Sequence, residues 1–335
     1  MSFYPLIRKG LFQLDPEKAH GLTLHALQLA YQSKLLRLWP KAISNPCTVM
    51  GLRFPNPIGL SAGFDRNGDY IDALSLLGFG FIEIGTVVTK PQIGNPKPRI
   101  FRLTQHEALI NRVGFASYGL DYVIKNLEKT QYKGILGINI GKNKTTSNEH
   151  ALDDYVLLFR ALWKFASYIT INISSPNTPK LRELQNADSL TLLLKNLKTE
   201  QKKIAEYEKK YVPLVLKIAP DLSDEAQATL ADVLLQQQMD GVIISNTTLS
   251  REGVENATYA KEAGGLSGKP LQQRNIRLIK QLDKLLRNEI PIIASGGIVD
   301  EDAARKSLIA GASLLQIYTG LIYRGPGLIR ELARL

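Results

Sequence analysis

This chain predicts an α/β fold, a (β/α)8 or TIM barrel preceded by an N-terminal amphipathic helical extension, and three observations carry the prediction. Eight short apolar runs each stop at small or polar turn residues. Most of them are separated by stretches of helical periodicity. The runs are also near-continuously apolar, the pattern of parallel strands covered by helices. Eight such units close into a barrel. The 335 residues could divide into two domains by length, but barrels routinely run this long as one.

The first forty residues stand apart, so the chain divides into a helical segment, residues 1–40, and a barrel, residues 41–335. Phe3, Leu6, Ile7, Leu11 and Phe12 mark one side of a short helix. Asp15 and Pro16 then supply an N-cap and a first-turn proline, and Leu22, Ala26, Leu29, Ala30 and Leu36 follow at helical spacing. The uncharged stretch Ala19 to Ser33 is 15 residues and includes His20, His25, Gln28 and Gln32, short of the roughly 20 apolar residues a membrane span needs. These helices either lie in a membrane surface, helped by Arg8, Lys9, Lys34, Arg37 and Lys41, or plug one end of the barrel.

The strand-like runs are Pro57–Gly63, Phe81–Thr86, Ile135–Gly141, Tyr168–Ser175, Pro213–Pro220, Gly241–Thr247, Pro291–Gly297 and Leu314–Gly320. Helices are expected over Asp153–Lys164, Ser189–Lys209, Ser223–Gln237, Gln272–Arg287 and Asp300–Ala310. Two connections, Val87–Phe115 and Asn246–Pro270, are too long for simple turns, and the segment after Ser175 through Pro176, Pro179 and Leu184 is a candidate lid.

Composition removes several functions. One cysteine, Cys47, excludes an internal disulfide, and four histidines without Cys partners argue against a zinc site, so no metal is expected. No export signal opens the chain, and a reducing compartment fits. The net charge of +11 admits nucleic acid, an anionic membrane or anionic small molecules. The densest basic run, Lys195 to Lys210, interleaves Glu200, Glu206 and Glu208 and reads as a solvated helix face. No zinc-finger spacing or aromatic-basic string supports nucleic acid.

The chemistry gathers at strand ends. Ser295, Gly296 and Gly297 precede a helix with Asp300 near its start, and Gly264, Gly265, Ser267 and Gly268 add glycines. Taken alone they turn the chain, but in barrel register they form a phosphate rim. Lys217, inside VLKIAP, should point into the barrel mouth, either as a Schiff-base nucleophile or as a fixed cation beside an electron-rich cofactor. Asn139, Asn172, Asn177 and Asn246 at strand ends, with Asn111 in a long loop, suit a small ring with imide edges. None of His20, His25, His106 and His150 lies at a strand end, which leaves Ser175 as the oxygen base, a weak one without a relay or a dry site.

SAGFDRNG at 61–68, EIGTVVTKPQIGNPKPRIFRL at 83–103, LINRVGF at 109–115, NISSPNTPKLR at 172–182 and GGLSGKP at 264–270 occur in one order. With them the chain resembles, over nearly its whole length, the membrane-associated, quinone-dependent dihydroorotate dehydrogenases. The related soluble class generally carries Cys as base, so Ser175 and the N-terminal extension point to the membrane class. The resemblance implies one non-covalent FMN held by Ala62, Gly63, Arg66, Thr86, Asn139, Asn172, Lys217, Ser245, Gly268, Gly297, Tyr318 and Thr319. It implies a dihydroorotate pocket of Arg66, Asn111, Arg112, Val113, Gly114, Phe115, Asn172, Asn177, Asn246 and Thr247. Ser175 would take the C5 proton while hydride leaves C6 for the flavin, and Lys217 would stabilise the reduced ring. Two departures stand out: Arg66 where the family commonly has Lys, and Ser245 for the usual Thr.

The same resemblance implies that the two N-terminal helices form the mouth of a quinone tunnel, with His20, Arg102 and Tyr318 near the quinone head. It implies a peripheral protein on the cytoplasmic face of the inner membrane, acting in pyrimidine biosynthesis, with dihydroorotate and orotate, a membrane quinone and the anionic membrane surface as partners and no obligate protein partner. Two rivals are separable from it. A class I aldolase would trap substrate on Lys217 with borohydride and lack a yellow flavin; a non-enzymatic surface-binding protein would have no use for Asn172, Ser175 and Lys217.

Overall fold

A computed structural model describes residues 4–335. Phe3, expected on the first helix, lies outside the described residues. The chain enters through α1 (Tyr4–Leu11) and α2 (Pro16–Gln32). The expected cap is present: Asp15 Oδ1 accepts from the backbone N–H groups of Glu17 and Lys18, both at 3.0 Å, with Pro16 in the first turn.

The antiparallel hairpin β1 (Cys47–Val49) and β2 (Leu52–Phe54) leads into β3 (Ile58–Leu60) and β4 (Phe81–Val87). Then come β5 (Ile100–Leu103), β6 (Ala108–Asn111), β7 (Ile135–Ile140), β8 (Tyr168–Asn172), β9 (Leu214–Ile218), β10 (Gly241–Ile244), β11 (Gly265–Gly268), β12 (Ile292–Ser295) and β13 (Ala312–Ile317). Strands β3, β4, β7, β8, β9, β10, β12 and β13 close in that order into an all-parallel barrel, six of them within their expected runs, while β4 ends one residue later than expected and β13 begins two residues earlier. All five helices expected between them form, within three residues of the expected ends: Ala151–Leu162, Ala187–Glu208, Asp224–Gln236, Gln272–Leu285 and Glu301–Ile309.

The barrel is filled in layers. At its amino-terminal end Phe54, Phe81, Tyr168, Val215, Ile243, Ile293 and Leu314 form a separate apolar cluster that the β1–β2 hairpin closes. Position 59 must be glycine to seat Phe81, because a Cβ there would lie 2.2 Å from its ring. Above this floor the interior turns polar, with Glu83, Thr170 and Gln316, and then opens at the carboxyl ends of the strands.

The two long connections are more ordered than their Pro and Gly content suggests. Each folds back into one three-stranded antiparallel sheet, β5–β6–β11, with Gly265 opposite Asn111 and Leu266 opposite Ile110. Strands of four residues leave little periodicity to detect, and β11 pairs only with a strand far away in the chain.

The helical extension is stitched to this sheet and to the C-terminal helices. Arg102 on β5 donates to the Phe12 and Leu14 carbonyls at 3.0 and 2.8 Å and stacks 4.7 Å from the Phe12 ring, capping the end of α1. Arg99 grips Glu17 with two bonds of 2.7 and 3.1 Å. On α2 only Ala19 and Leu24 are buried, while Leu22 and Leu29, with Leu6 and Ile7 on α1 and Leu35 and Leu38 beyond, are exposed. Among the described residues no helix is long and apolar enough to cross a membrane.

Candidate active site

The carboxyl ends of the barrel strands and the β5–β6–β11 sheet enclose a cleft. Of the residues expected for the cofactor, Ala62, Gly63, Arg66, Thr86, Asn172, Lys217, Ser245, Gly268, Gly297, Tyr318 and Thr319 line it. Of those expected for substrate, so do Asn111, Val113, Gly114, Phe115, Asn177, Asn246 and Thr247, together with Ser175.

Four expected residues lie outside the wall. Asn139 is fully buried one layer behind it, accepting from the Thr86 hydroxyl at 2.6 Å and from Asn172 Nδ2 at 3.0 Å. Arg112 turns to Glu262 at 2.6 Å and to the Pro98 carbonyl. His20 reaches the cleft only through rings: its Nε2 contacts the Phe64 carbonyl at 2.9 Å, its ring meets Phe64 edge-on at 5.0 Å, and Phe64 meets Tyr318 at 5.4 Å. Burial first, then the Arg66 charge, lowers the His20 pKa to about 4, so the imidazole is neutral and Nε2 carries the proton that Phe64 accepts. Arg102, expected beside it, is engaged with α1.

Lys217 behaves as its apolar strand foretold. It pairs in register with Asn172 of β8, is buried, and finds one hydroxyl, Ser61 Oγ, at 3.3 Å. Burial lowers its pKa, and the Glu83 charge opposes that shift. Ser175 Oγ accepts from the Asn177 N–H at 3.2 Å. The asparagines form two sets: Asn246 Nδ2 donates to Ser174 Oγ at 3.0 Å and that hydroxyl donates to Asn172 Oδ1 at 2.9 Å, while Asn177 Nδ2 donates to the Asn111 carbonyl at 3.1 Å.

Two groups escaped sequence reasoning. Arg182 joins three loops, donating to the Ser174 carbonyl at 2.9 Å, Asp221 at 2.9 Å and the Thr247 carbonyl at 2.8 Å, so the segment after Ser175 is tied down beside the cleft. Glu83 and Gln316 sit inside strands as apolar as that of Lys217, and the same signal, a polar residue in an apolar barrel strand, could have found them.

The cleft also meets a test of what it can hold. Thr247 Oγ1 and Gln316 Oε1 are buried in its wall with no hydrogen-bond partner among the described residues, which is costly unless a polar ligand completes them. Gly296 and Gly297 take φ of 111° and 77°, and a Cβ at Gly297 would strike Gln272 Cα at 2.4 Å, so the rim before the Glu301–Ile309 helix is bare backbone. A bare rim for an anion, a buried cation and unsatisfied acceptors fit a flavin nucleotide.

Fold and cleft define a (β/α)8-barrel enzyme whose site lies at the carboxyl ends of its strands. A family model described as dihydroorotate dehydrogenase matches residues 46–334, and the chain belongs to that flavin-dependent family. It is 53% identical over 330 residues to a dihydroorotate dehydrogenase (quinone) of Idiomarina loihiensis, covering 98% of each chain. It is 51% identical to one of Nitrosospira multiformis, covering 99% of this chain and 95% of the other. Among solved structures it is similar to DHODH of Eimeria tenella in complex with ferulenol, with a TM-score of 0.88, 39% identity, and coverage of 96% and 90%. Neither an aldolase nor a non-enzymatic surface protein agrees with this membership.

Proposed function

We propose that this protein oxidises dihydroorotate to orotate with a membrane quinone as acceptor, in pyrimidine biosynthesis, through one non-covalent FMN. The observation that carries the reading is the pairing of Asn172 with Lys217 on adjacent strands, with Ser175 three residues further on, all lining one cleft. An FMN held here would supply the acceptor for the hydride from C6 of the substrate and the electron route to the quinone.

The chain's own groups do the rest. The bare rim at Gly268 and Gly297, with Thr319, holds the phosphate, and the Lys217 ammonium supplies positive charge to the ring. Asn111, Asn177, Asn246 and Thr247 orient the substrate ring, and Arg66 pairs with its carboxylate. Ser175 Oγ takes the C5 proton while its own hydroxyl proton passes to solvent, and the Asn177 N–H on that oxygen stabilises the charge that develops. The two N-terminal helices are the access segment. Leu6, Ile7, Leu22, Leu29, Leu35 and Leu38 are exposed apolar side chains suited to the acyl boundary of the cytoplasmic face of the inner membrane, with Arg8, Lys9, Lys34, Arg37 and Lys41 for anionic headgroups. We assign residues 1–40 to membrane docking and quinone entry and residues 41–335 to catalysis.

The visible spectrum of the purified protein tests the reading. A yellow protein that bleaches with dihydroorotate under anaerobic conditions is expected; a colourless, folded protein that FMN fails to reconstitute overturns it.

A further inference from the structure

The proposed chemistry leaves one buried carboxylate without a task. Glu83, in the middle of β4 and fully buried, receives four donors. Asn139 Nδ2 reaches Oε1 at 2.9 Å; Gln316 Nε2, the Tyr168 hydroxyl and the Thr170 hydroxyl reach Oε2 at 2.7, 2.9 and 3.1 Å. The oxygens of a carboxylate accept, so each amide must turn its NH2 group toward Glu83.

That orientation decides what the amides present elsewhere. Asn139 is left with Oδ1, which accepts from the Thr86 hydroxyl and from Asn172. Thr86, a residue of the cleft wall, has then used its only proton, and its oxygen is left as an acceptor, taken at 3.1 Å by Asn172 Nδ2. Gln316 is left with Oε1, buried in the cleft wall and unpartnered among the described residues. Two acceptors in the wall thus trace to one carboxylate outside it.

We propose that Glu83 is a positioning residue that sets the polarity of the inner cleft wall: by holding the amino groups of Asn139 and Gln316 it leaves Thr86 Oγ1 and Gln316 Oε1 as acceptors, and the wall selects a ring that turns an N–H toward it. This rests on the flavin reading above, because oxidised isoalloxazine carries a single ring N–H, at N3. A glutamine at position 83 both donates and accepts, so the amides are free to flip and the wall loses its fixed polarity.

The test compares dissociation constants of FMN and 3-methyl-FMN for the apoprotein, read by quenching of flavin fluorescence, in the wild type, Glu83→Gln and Gln316→Met. The wild type is expected to prefer FMN by about tenfold or more, the cost of leaving buried acceptors unpaired. Glu83→Gln should bring that preference close to one, and Gln316→Met, which removes one of the two acceptors and leaves that of Thr86, should lower it. A merely structural role weakens both flavins alike, so a variant that keeps the wild-type preference overturns the proposal, as does a wild type that binds the two flavins equally. If Glu83→Gln does not fold, Gln316→Met, which leaves the carboxylate in place, decides the matter by the same ratio. A wild type that binds neither flavin overturns the functional reading itself, a result distinct from failure of the selectivity.

Discussion

Ser175 lies in the cleft with the Asn177 N–H on its oxygen, and nothing larger than a hydroxyl hydrogen bond depends on it. Ser175→Ala is therefore expected to leave FMN bound and to slow flavin reduction by dihydroorotate about 100-fold or more, the scale of a lost general base, in anaerobic stopped-flow measurements. Near wild-type reduction would move the base role elsewhere. Single polar residues in apolar strands were the most legible site signal: Lys217 was read from VLKIAP, and the structure buries it in the cleft as expected. Glu83 in FIEIGT and Gln316 in LLQIYTG carry the same signal. Their partners, Asn139, Tyr168 and Thr170, come from other strands, so only the closed barrel reveals what they bind.

At the scale of elements, the segment after Ser175 is held rather than free. Arg182→Ala removes one side chain that ties three loops, and is expected to cost about 1–3 kcal/mol of stability and to weaken orotate binding, read by chemical denaturation and by ligand titration. Unchanged values for both would show that the loops hold each other without it. The N-terminal helices make a separate prediction. Deleting residues 1–39 should spare dihydroorotate-driven flavin reduction, yet abolish efficient reoxidation by long-tailed quinones and release the protein from anionic vesicles, with a smaller loss toward a short soluble acceptor. A truncated protein that still binds vesicles and reacts with tailed quinones would reduce these helices to a plug. Their order and cap were legible in Asp15 and Pro16. Their outward apolar face was not, because spacing tells which residues share a side and not what that side meets.

At the scale of the whole molecule, the junction of extension and barrel carries a pH dependence. The His20 pKa falls from the ordinary 6.5 to about 4 on folding, mainly through burial, so the folded state disfavours its proton. Its contribution to stability is complete above 6.5 and is lost as pH falls from there toward 4. Asp65 acts in the opposite sense: burial raises its pKa to about 6 despite three backbone N–H donors, so its contribution is lost as pH rises through that value. The two are separated by comparing melting temperatures of the wild type and His20→Gln between pH 7 and pH 4. The variant should lose less on acidification, and parallel curves would remove His20 from the account.

Apolar runs, turn residues and helical spacing are local, and they determined by themselves the eight barrel strands, the five helices between them, the Asp15 cap and the polar residues at strand ends, because each is decided by neighbours within a turn or a strand. The motifs added the family, with Ser175 among their residues. Tertiary structure alone decided the β6–β11 pairing, the retreat of Asn139 behind Thr86 and Asn172, the turn of Arg112 toward Glu262, and the convergence of four donors on Glu83. Those contacts join residues far apart in the chain, and they exist only once barrel closure fixes which side chains share the interior, a geometric condition that no local pattern carries.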